Sequence, residues 1–266
     1  MKAMYAMTVL AVVVCPCMGA FNDDFNDDTL PVGWNMRCAW AEGAGCTYNW
    51  VEDHGAPGGL GALRVGGRGE HTCFATLDGT TAASHGLPHG AWAVNETETF
   101  TGNFVVTTTW SITFDPGYTG GYSDACVLLG RKFIQDDMDY LQVGFFPTLV
   151  EVRTYIGTGR SNDTVGSWDT PLWVPSGLSA DTNWFDTTVA YDSVAGTFLV
   201  TARDTTTGIV HTATVGDRGF DMSNVYVGVG SQNDQANFDY LDAVPEPATM
   251  LLLGLGGVGV LLRRRR

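Results

Sequence analysis

The clearest pattern in the chain is a regular alternation of side chains between residues 104 and 114. One set of alternate positions carries Phe104, Val106, Thr108, Trp110, Ile112 and Phe114. The positions between them are mostly threonine and serine. A period of two residues is that of a β-strand with one buried face. The pattern therefore predicts a long strand with its aromatic face in a core.

Similar short patterns recur along most of the chain. Further strands are predicted at residues 126–130, 140–146, 149–156, 187–191, 197–204, 209–215, 225–230 and 237–241. Turn sequences rich in Gly, Asp and Thr separate them, and no stretch before the last residues has a helical period of 3.6. Residues 39–90 are rich in glycine, which favours short strands joined by wide loops. The fold class predicted is all-β, one antiparallel sandwich.

Both ends of the chain carry apolar runs that do not belong to this pattern. Lys2 precedes an apolar stretch at 7–14 and the small residues Gly19 and Ala20, as in a signal peptide cleaved near Ala20. Residues 250–262 contain no charge and are followed by four arginines. Basic residues next to an apolar helix tend to stay in the cytoplasm and fix its orientation. The predicted organisation is a signal peptide at 1–20, one domain at 21–243 and a tail at 244–266.

The tail resembles the PEP-CTERM sorting signal of Gram-negative bacteria. The resemblance rests on three parts in order: the motif Pro245, Glu246 and Pro247, the short hydrophobic helix, and the basic end. It implies an exported protein that is recognised by an exosortase after passing the export machinery. It also implies transient membrane anchoring, followed by a place on the cell surface or in the extracellular matrix. A simple C-terminal anchor is the alternative.

The charge of the chain narrows the choice of partners. Fourteen Lys and Arg residues face 29 Asp and Glu residues, a formal net charge of −15. Such an excess of negative charge argues against nucleic acid and anionic lipid as partners of the domain. It favours solubility and leaves carboxylates available for a cation.

Four cysteines follow the predicted signal peptide: Cys38, Cys46, Cys73 and Cys126. An even number in an oxidising compartment indicates disulfides, and four cysteines allow three pairings. We prefer Cys38 with Cys46, which closes a short loop, and Cys73 with Cys126. A zinc site is the alternative, but no Cys-x-x-Cys spacing supports it.

The start of the domain resembles concanavalin A-like jelly-roll domains. Residues 21–31 include an Asp-Asp-Phe element, and Trp34 follows. The predicted hairpin at 140–156 looks like that of laminin G-like and lectin-like sandwiches. This resemblance implies a jelly roll, a fold that hosts both lectins and glycosidases.

Clustered acids raise the possibility of calcium, a hard cation that takes oxygen ligands. Asp136, Asp137 and Asp139 lie within four residues before a predicted strand. Asp23 and Asp24, together with Asp239 of the last predicted strand, form a second candidate set. The alternative for both sets is an ordinary turn in which Asp side chains cap backbone amides.

Two tryptophans are candidates for sugar contact. Trp168 and Trp173 lie in a polar loop at 166–177 that contains proline. An exposed indole can stack on the face of a sugar ring. The alternative is that these rings close one end of the sandwich.

No convincing catalytic group is found. Glu96 and Glu98 are the nearest match to the paired carboxylates of a glycosidase, but no third acid is in register with them. The function predicted is therefore non-catalytic binding of carbohydrate or exopolysaccharide by an exported protein. The alternatives are a glycoside hydrolase or lyase, and a structural matrix component without a specific ligand.

Overall fold

A computed structural model describes ten ranges of the chain: residues 21–25, 32–38, 49–51, 62–66, 90–113, 124–134, 137–160, 163–172, 183–232 and 235–245. The regular elements in these ranges are all β-strands, so the all-β prediction is confirmed. Within the same ranges, no helix has the length and apolar character needed to cross a membrane. The predicted signal peptide and the apolar tail lie outside the described residues.

Sixteen strands are formed within the described ranges. They are β1 (Phe21–Asp23), β2 (Trp34–Cys38), β3 (Asn49–Val51), β4 (Ala62–Gly66), β5 (Gly90–Phe100), β6 (Phe104–Thr113), β7 (Asp124–Ile134), β8 (Asp137–Phe145), β9 (Leu149–Gly157), β10 (Gly159–Arg160), β11 (Thr164–Ser167), β12 (Phe185–Asp192), β13 (Thr197–Asp204), β14 (Val210–Gly216), β15 (Val225–Gln232) and β16 (Gln235–Pro245).

The strands form two antiparallel sheets that pack as a sandwich. Sheet A has the order β14-β13-β12-β6-β16-β4-β3, with β1 also paired to β16. Sheet B has the order β10-β9-β8-β7-β15-β5-β2, with β11 also paired to β9. The last strand of the chain, β16, thus lies in the interior of sheet A.

The main core lies between the sheets and is centred on Trp110 of β6. The inward positions of β6 predicted from its alternation are buried, apart from Phe114, which lies outside the described residues. The indole of Trp110 stacks on Phe145 of sheet B and Phe185 of sheet A, with ring centroids 5.3 and 5.0 Å away. Its Nε1 donates to Thr187 Oγ1 at 2.8 Å. The single polar atom of the ring is therefore satisfied inside the core.

Two turns of the same sequence type form the ends of β13. Asp192 Oδ1 accepts hydrogen bonds from the backbone N–H groups of Val194 and Ala195, at 2.9 and 3.0 Å. Four residues later Gly196 takes φ of 62°, which glycine adopts without a steric penalty. The turn from Asp204 to Gly208 repeats both features. The hairpins predicted at these positions are confirmed.

One side of the sandwich is closed by the segment 163–172. Its strand β11 pairs with β9 in sheet B, and its Asp169 bonds to Thr212 on the edge strand of sheet A. Asp169 N–H donates to the Thr212 carbonyl, and Thr212 N–H donates to Asp169 Oδ1, both at 3.1 Å. A free strand edge invites pairing with another chain, and these bonds occupy part of it.

One end of the sandwich is closed by the loop between β14 and β15. Phe220 and Met222 of this loop are buried in the main core. Arg131 of β7 holds the loop from outside, because its NH1 donates to the carbonyls of Asp221 and Ser223 at 2.8 and 2.9 Å.

Gly166 allows the closing segment to approach β14 closely, and its replacement tests that contact. A Cβ atom at this position would lie 2.5 Å from the Thr214 carbonyl oxygen. We expect Gly166→Ala to push β11 away from β14 and to lower stability by about 1–3 kcal/mol, as overpacking does. Chemical denaturation measures the change.

Gly216→Ala is the matched control. Its nearest neighbour would be 3.9 Å away, at ordinary contact distance. Equal destabilisation by the two substitutions would contradict the proposed close approach.

Candidate ligand-binding face

The residues of sheet B that point away from sheet A form a second, separate cluster. We call this surface the outer face of sheet B. Its members lie between the core positions of each strand: Trp92, Val94, Cys126, Leu128, Tyr140, Gln142, Glu151, Arg153 and Tyr155. Except for Glu151, all are buried. Sheet B is therefore buried on both of its faces.

The centre of this surface is the ring of Tyr140. Tyr155 and Phe133 stack on it, with centroids 4.6 and 5.4 Å away. The indole of Trp92 meets it edge-on at 6.2 Å. Trp92 belongs to β5 and Tyr140 to β8, so the indole extends across β15 and β7.

Glycines on the intervening strands permit this arrangement. A Cβ atom on Gly130 of β7 would lie 2.3 Å from Tyr140 Cβ. On β15 the outward positions beside Trp92 and Val94 are Gly230 and Gly228, which carry no side chain. Glycine at these sites leaves room for the large rings of the neighbouring strands.

Polar groups lie among the rings. The carboxylate of Glu151 and the guanidinium of Arg153 form an ion pair at 2.6 Å, with side chains 13% and 5% exposed. The guanidinium carbon of Arg153 lies 4.9 Å from the ring centroid of Phe146. The hydroxyl of Tyr155, on the same strand, donates a long bond, 3.4 Å, to Gln142 Oε1 of the neighbouring strand β8. Buried polar groups of this kind cost free energy unless they are bonded.

The indole N–H of Trp92 is a buried donor on this face that lacks an acceptor in good geometry. The indole Nε1 of Trp92 has no acceptor in hydrogen-bonding geometry among the described residues, although Trp92 is only 1% exposed. A contact between this N–H and the Tyr140 phenol lowers the pKa of Tyr140 slightly. Burial has the larger effect and raises that pKa well above its usual value. An unsatisfied buried N–H is uncommon and indicates strain or a place for a ligand.

The predicted sugar-binding tryptophans are placed differently. Trp168 is buried in the main core, and its Nε1 donates to the Phe146 carbonyl at 2.9 Å. This position fits the alternative given above, in which the ring closes the sandwich, and it offers no exposed face for stacking. Trp173 lies outside the described residues.

The acids before β8 are engaged in ion pairs. Both oxygens of Asp139 accept from Arg131, at 2.6 and 3.1 Å. Asp137 accepts from Lys132 at 2.7 Å, and both of these side chains are exposed. These contacts are those of the hairpin of β7 and β8. Asp136 is outside the described residues.

The second acidic set is also engaged in the fold. Asp23 Oδ2 accepts from Trp34 Nε1 at 2.6 Å. Asp24 follows directly after β1, and Asp239 is buried at the bulge in β16. No three His, Cys, Asp or Glu side chains among the described residues form a group that could hold a metal. Calcium therefore has no support from this part of the chain.

The cysteines and the sorting motif lie mostly beyond what the structure describes. Cys126 is buried on the outer face of sheet B, and Cys38 ends β2. Cys46 and Cys73 are outside the described residues, so the disulfide pairing stays a prediction. Pro245 ends β16, and Glu246 and Pro247 follow outside the described ranges.

Sequence reasoning missed the outer face of sheet B, although a signal for it was present. In residues 140–146 the positions between the core residues are Tyr140, Gln142 and Gly144, none of them charged. A strand with so little polarity on either face is typical of a sheet covered on both sides.

Three comparisons place these features among known proteins. Residues 243–266 match the model of the PEP-CTERM protein-sorting motif. This confirms the sorting signal seen in the sequence and indicates an exported protein that is transiently anchored in a membrane. No curated protein matches the sequence significantly.

Solved structures with a similar fold are mainly lectins. Winged bean acidic lectin, complexed with methyl-α-D-galactose, matches over 85% of this chain and 97% of its own, with a TM-score of 0.50 and 11% identity. Lectin I from Ulex europaeus, in complex with the methyl glycoside of α-L-fucose, matches over 84% of this chain and 96% of its own, with a TM-score of 0.50 and 10% identity. The concanavalin A-like fold expected from the sequence is confirmed.

One enzyme is also similar in structure. The Bacteroides ovatus xyloglucan PUL GH43B matches over 84% of this chain but only 39% of its own, with a TM-score of 0.47 and 12% identity. At such low identities, likeness to a solved structure concerns the fold and not the activity.

The buried phenol of Tyr140 gives a test by pH. Because burial raises its pKa in the folded protein, the unfolded chain loses this proton first, and stability should fall as the pH rises above about 10. We expect Tyr140→Phe to weaken this alkaline loss, measured as unfolding free energy against pH. Phe133→Leu, which removes no ionisable group, should lower stability equally at each pH. An unchanged pH profile for Tyr140→Phe would contradict the assignment.

The ion pair on the same face gives a second test. Glu151→Gln leaves the Arg153 charge buried without its partner, and we expect a loss of about 3–5 kcal/mol in the free energy of unfolding. The double substitution of Glu151→Leu with Arg153→Met should cost less than the single one. Arg203→Gln is the control, because Arg203 and Asp186 are exposed and 3.6 Å apart, where a pair contributes at most about 1 kcal/mol. Similar losses for Glu151→Gln and Arg203→Gln would show that the buried pair has no special role.

Proposed function

We propose that this protein is an exported, non-catalytic carbohydrate-binding protein whose ligand contacts the outer face of sheet B. The sorting motif supports export, and the lectin-like sandwich supports binding. The similar lectins were solved with galactose and fucose derivatives, which makes a neutral sugar a reasonable first ligand class for this chain.

The observation that carries the proposal is the unsatisfied indole N–H of Trp92. A second core built only for stability would be apolar, because each buried polar group costs free energy. The outer face of sheet B instead contains an amide, a carboxylate, a guanidinium and a buried donor without an acceptor. A ligand oxygen that reached Trp92 Nε1 would complete its hydrogen bonding.

The chemistry of the face suits a sugar. Sugar rings present flat C–H faces to aromatic rings and hydroxyls to amides, carboxylates and guanidinium groups. Trp92, Tyr140 and Tyr155 would supply the rings, and Gln142 an amide. Because all four side chains are buried, a sugar contacts them only if this face opens on binding. Binding pockets commonly combine an apolar lining with a few polar groups that fix orientation.

The buried carboxylate of this face, Glu151, does not form a catalytic pair with Glu96 of β5. Glu151 of β9 and Glu96 of β5 are separated by four strand spacings, roughly 19 Å. A glycosidase needs its carboxylates about 5–9.5 Å apart. Glu151 is also ion-paired with Arg153, and Glu96 accepts from Asn35 at 2.7 Å.

Binding to defined polysaccharides tests the proposal. The purified protein is run through gels containing neutral or acidic polysaccharides, and retardation is measured. We expect retardation by a neutral polysaccharide, because the net charge of −15 repels acidic ones. Trp92→Phe keeps the ring but removes the donor, and it should weaken retention several-fold. Thr201→Ala, on the opposite sheet, is the control and should not.

The outcomes distinguish an error in the proposed function from an error in the proposed binding site. If no polysaccharide retards the wild-type protein, the carbohydrate-binding function is wrong. If retardation occurs but is unchanged in Trp92→Phe, the binding site lies elsewhere on the protein.

A further inference from the structure

The strand β16 runs directly into the sorting motif. The matched motif begins at Ala243, whose side chain is fully buried in the main core. Val244 and Pro245 are the last residues of β16 and pair with Val105 and Phe104 of β6. No flexible spacer therefore separates the folded domain from the beginning of the motif.

Both ends of the domain lie at the same end of the sandwich. Phe21, the first residue of β1, is the Cα partner of Ala243 in the antiparallel pair of β1 and β16. We call this end, where β1 begins and β16 ends, the terminal end. The β12–β13 turn, which contains Val194, is also there, because Tyr191 pairs with Phe104. The β13–β14 turn, which contains Thr206, lies at the opposite end.

From this placement we infer that the terminal end of the sandwich faces the lipid bilayer while the sorting tail is anchored. Five residues lead from Pro245 to Met250, the first residue of the uncharged apolar run. At full extension they span at most about 18 Å. The 11 residues of β16 extend about 36 Å in the other direction, so the opposite end is held well away from the membrane.

The short connection, and not attraction of the domain to lipid, sets this orientation. The loops at the terminal end carry the carboxylates of Asp192, Asp217 and Asp221, each of which caps a turn. Negative charge of this kind does not favour adsorption to anionic headgroups. In this orientation the strands run away from the membrane surface. The outer face of sheet B is then roughly perpendicular to the membrane, with one edge near the lipid.

Photo-crosslinking from the two ends tests the inference. The photoreactive residue p-benzoylphenylalanine replaces either Val194, 95% exposed at the terminal end, or Thr206, exposed at the opposite end. The full-length, unprocessed protein is reconstituted in vesicles of phosphatidylethanolamine and phosphatidylglycerol and illuminated. We expect lipid adducts from position 194 at least several-fold above those from position 206.

Two controls identify the cause. A chain ending at Pro245 should give no adducts from either position. A Gly-Ser spacer inserted between Thr249 and Met250 should reduce the difference between the positions, because a longer tether frees the domain to turn. Equal adducts without the spacer, more adducts from position 206, or none from either position in vesicle-bound protein would each overturn the inference.

Discussion

Sheet B is buried on both of its faces, and many other features of the structure depend on this constraint. Its inner face packs on sheet A around Trp110, and its outer face carries the cluster around Tyr140. A sheet covered on both sides loses the alternation of apolar and polar residues that marks a solvated sheet. The glycines of β7 and β15 follow from the same constraint, because large rings can cross neighbouring strands only where side chains are absent. The polar groups on that face are then an exception that stability alone does not explain.

Some of the acidic residues of the chain are explained by its turns. Asp192, Asp204, Asp217 and Asp221 each accept backbone N–H bonds in the turn that they begin. Burial alone would raise the pKa of Asp204, but hydrogen bonds from Thr207, Asn183 and Thr206 outweigh it, and the pKa is lowered. A carboxylate with a lowered pKa contributes stability above the pKa of the unfolded chain, and this contribution is lost as the pH falls. These carboxylates stabilise the turns through hydrogen bonds from backbone N–H groups.

The sequence predicted sheet A better than sheet B for the same physical reason. In β12 and β13 one face is partly or fully exposed, so the alternation around Val189 and Val200 identifies both the strands and their buried sides. The turns that begin at Asp192 and Asp204 and end in glycine then determine where the hairpins reverse direction. In β8 neither face is clearly polar, so a period of two does not show which side chains meet on the outer face. In β9 the charges of Glu151 and Arg153 suggest a solvated face, but these side chains are largely buried. Trp168 shows a different problem. The residues around it in sequence are polar, which predicts an exposed ring, but the ring is buried in the main core.

The position of β16 links folding to sorting. The strand lies between β6 on one side and β4 and β1 on the other, so sheet A is incomplete until the end of the chain is available. Its partners β4 and β6 come from much earlier in the sequence, and such long-range pairing forms slowly. Because the matched motif begins within β16, the residues that complete the sheet directly precede the rest of the sorting tail. The folded domain and the anchored tail therefore share one short segment, in which Ala243 belongs to the core and Pro245 to the motif. Lengthening this segment alters how the domain is attached to the tail. A substitution within it also weakens the pairing of β16 with β6 in sheet A.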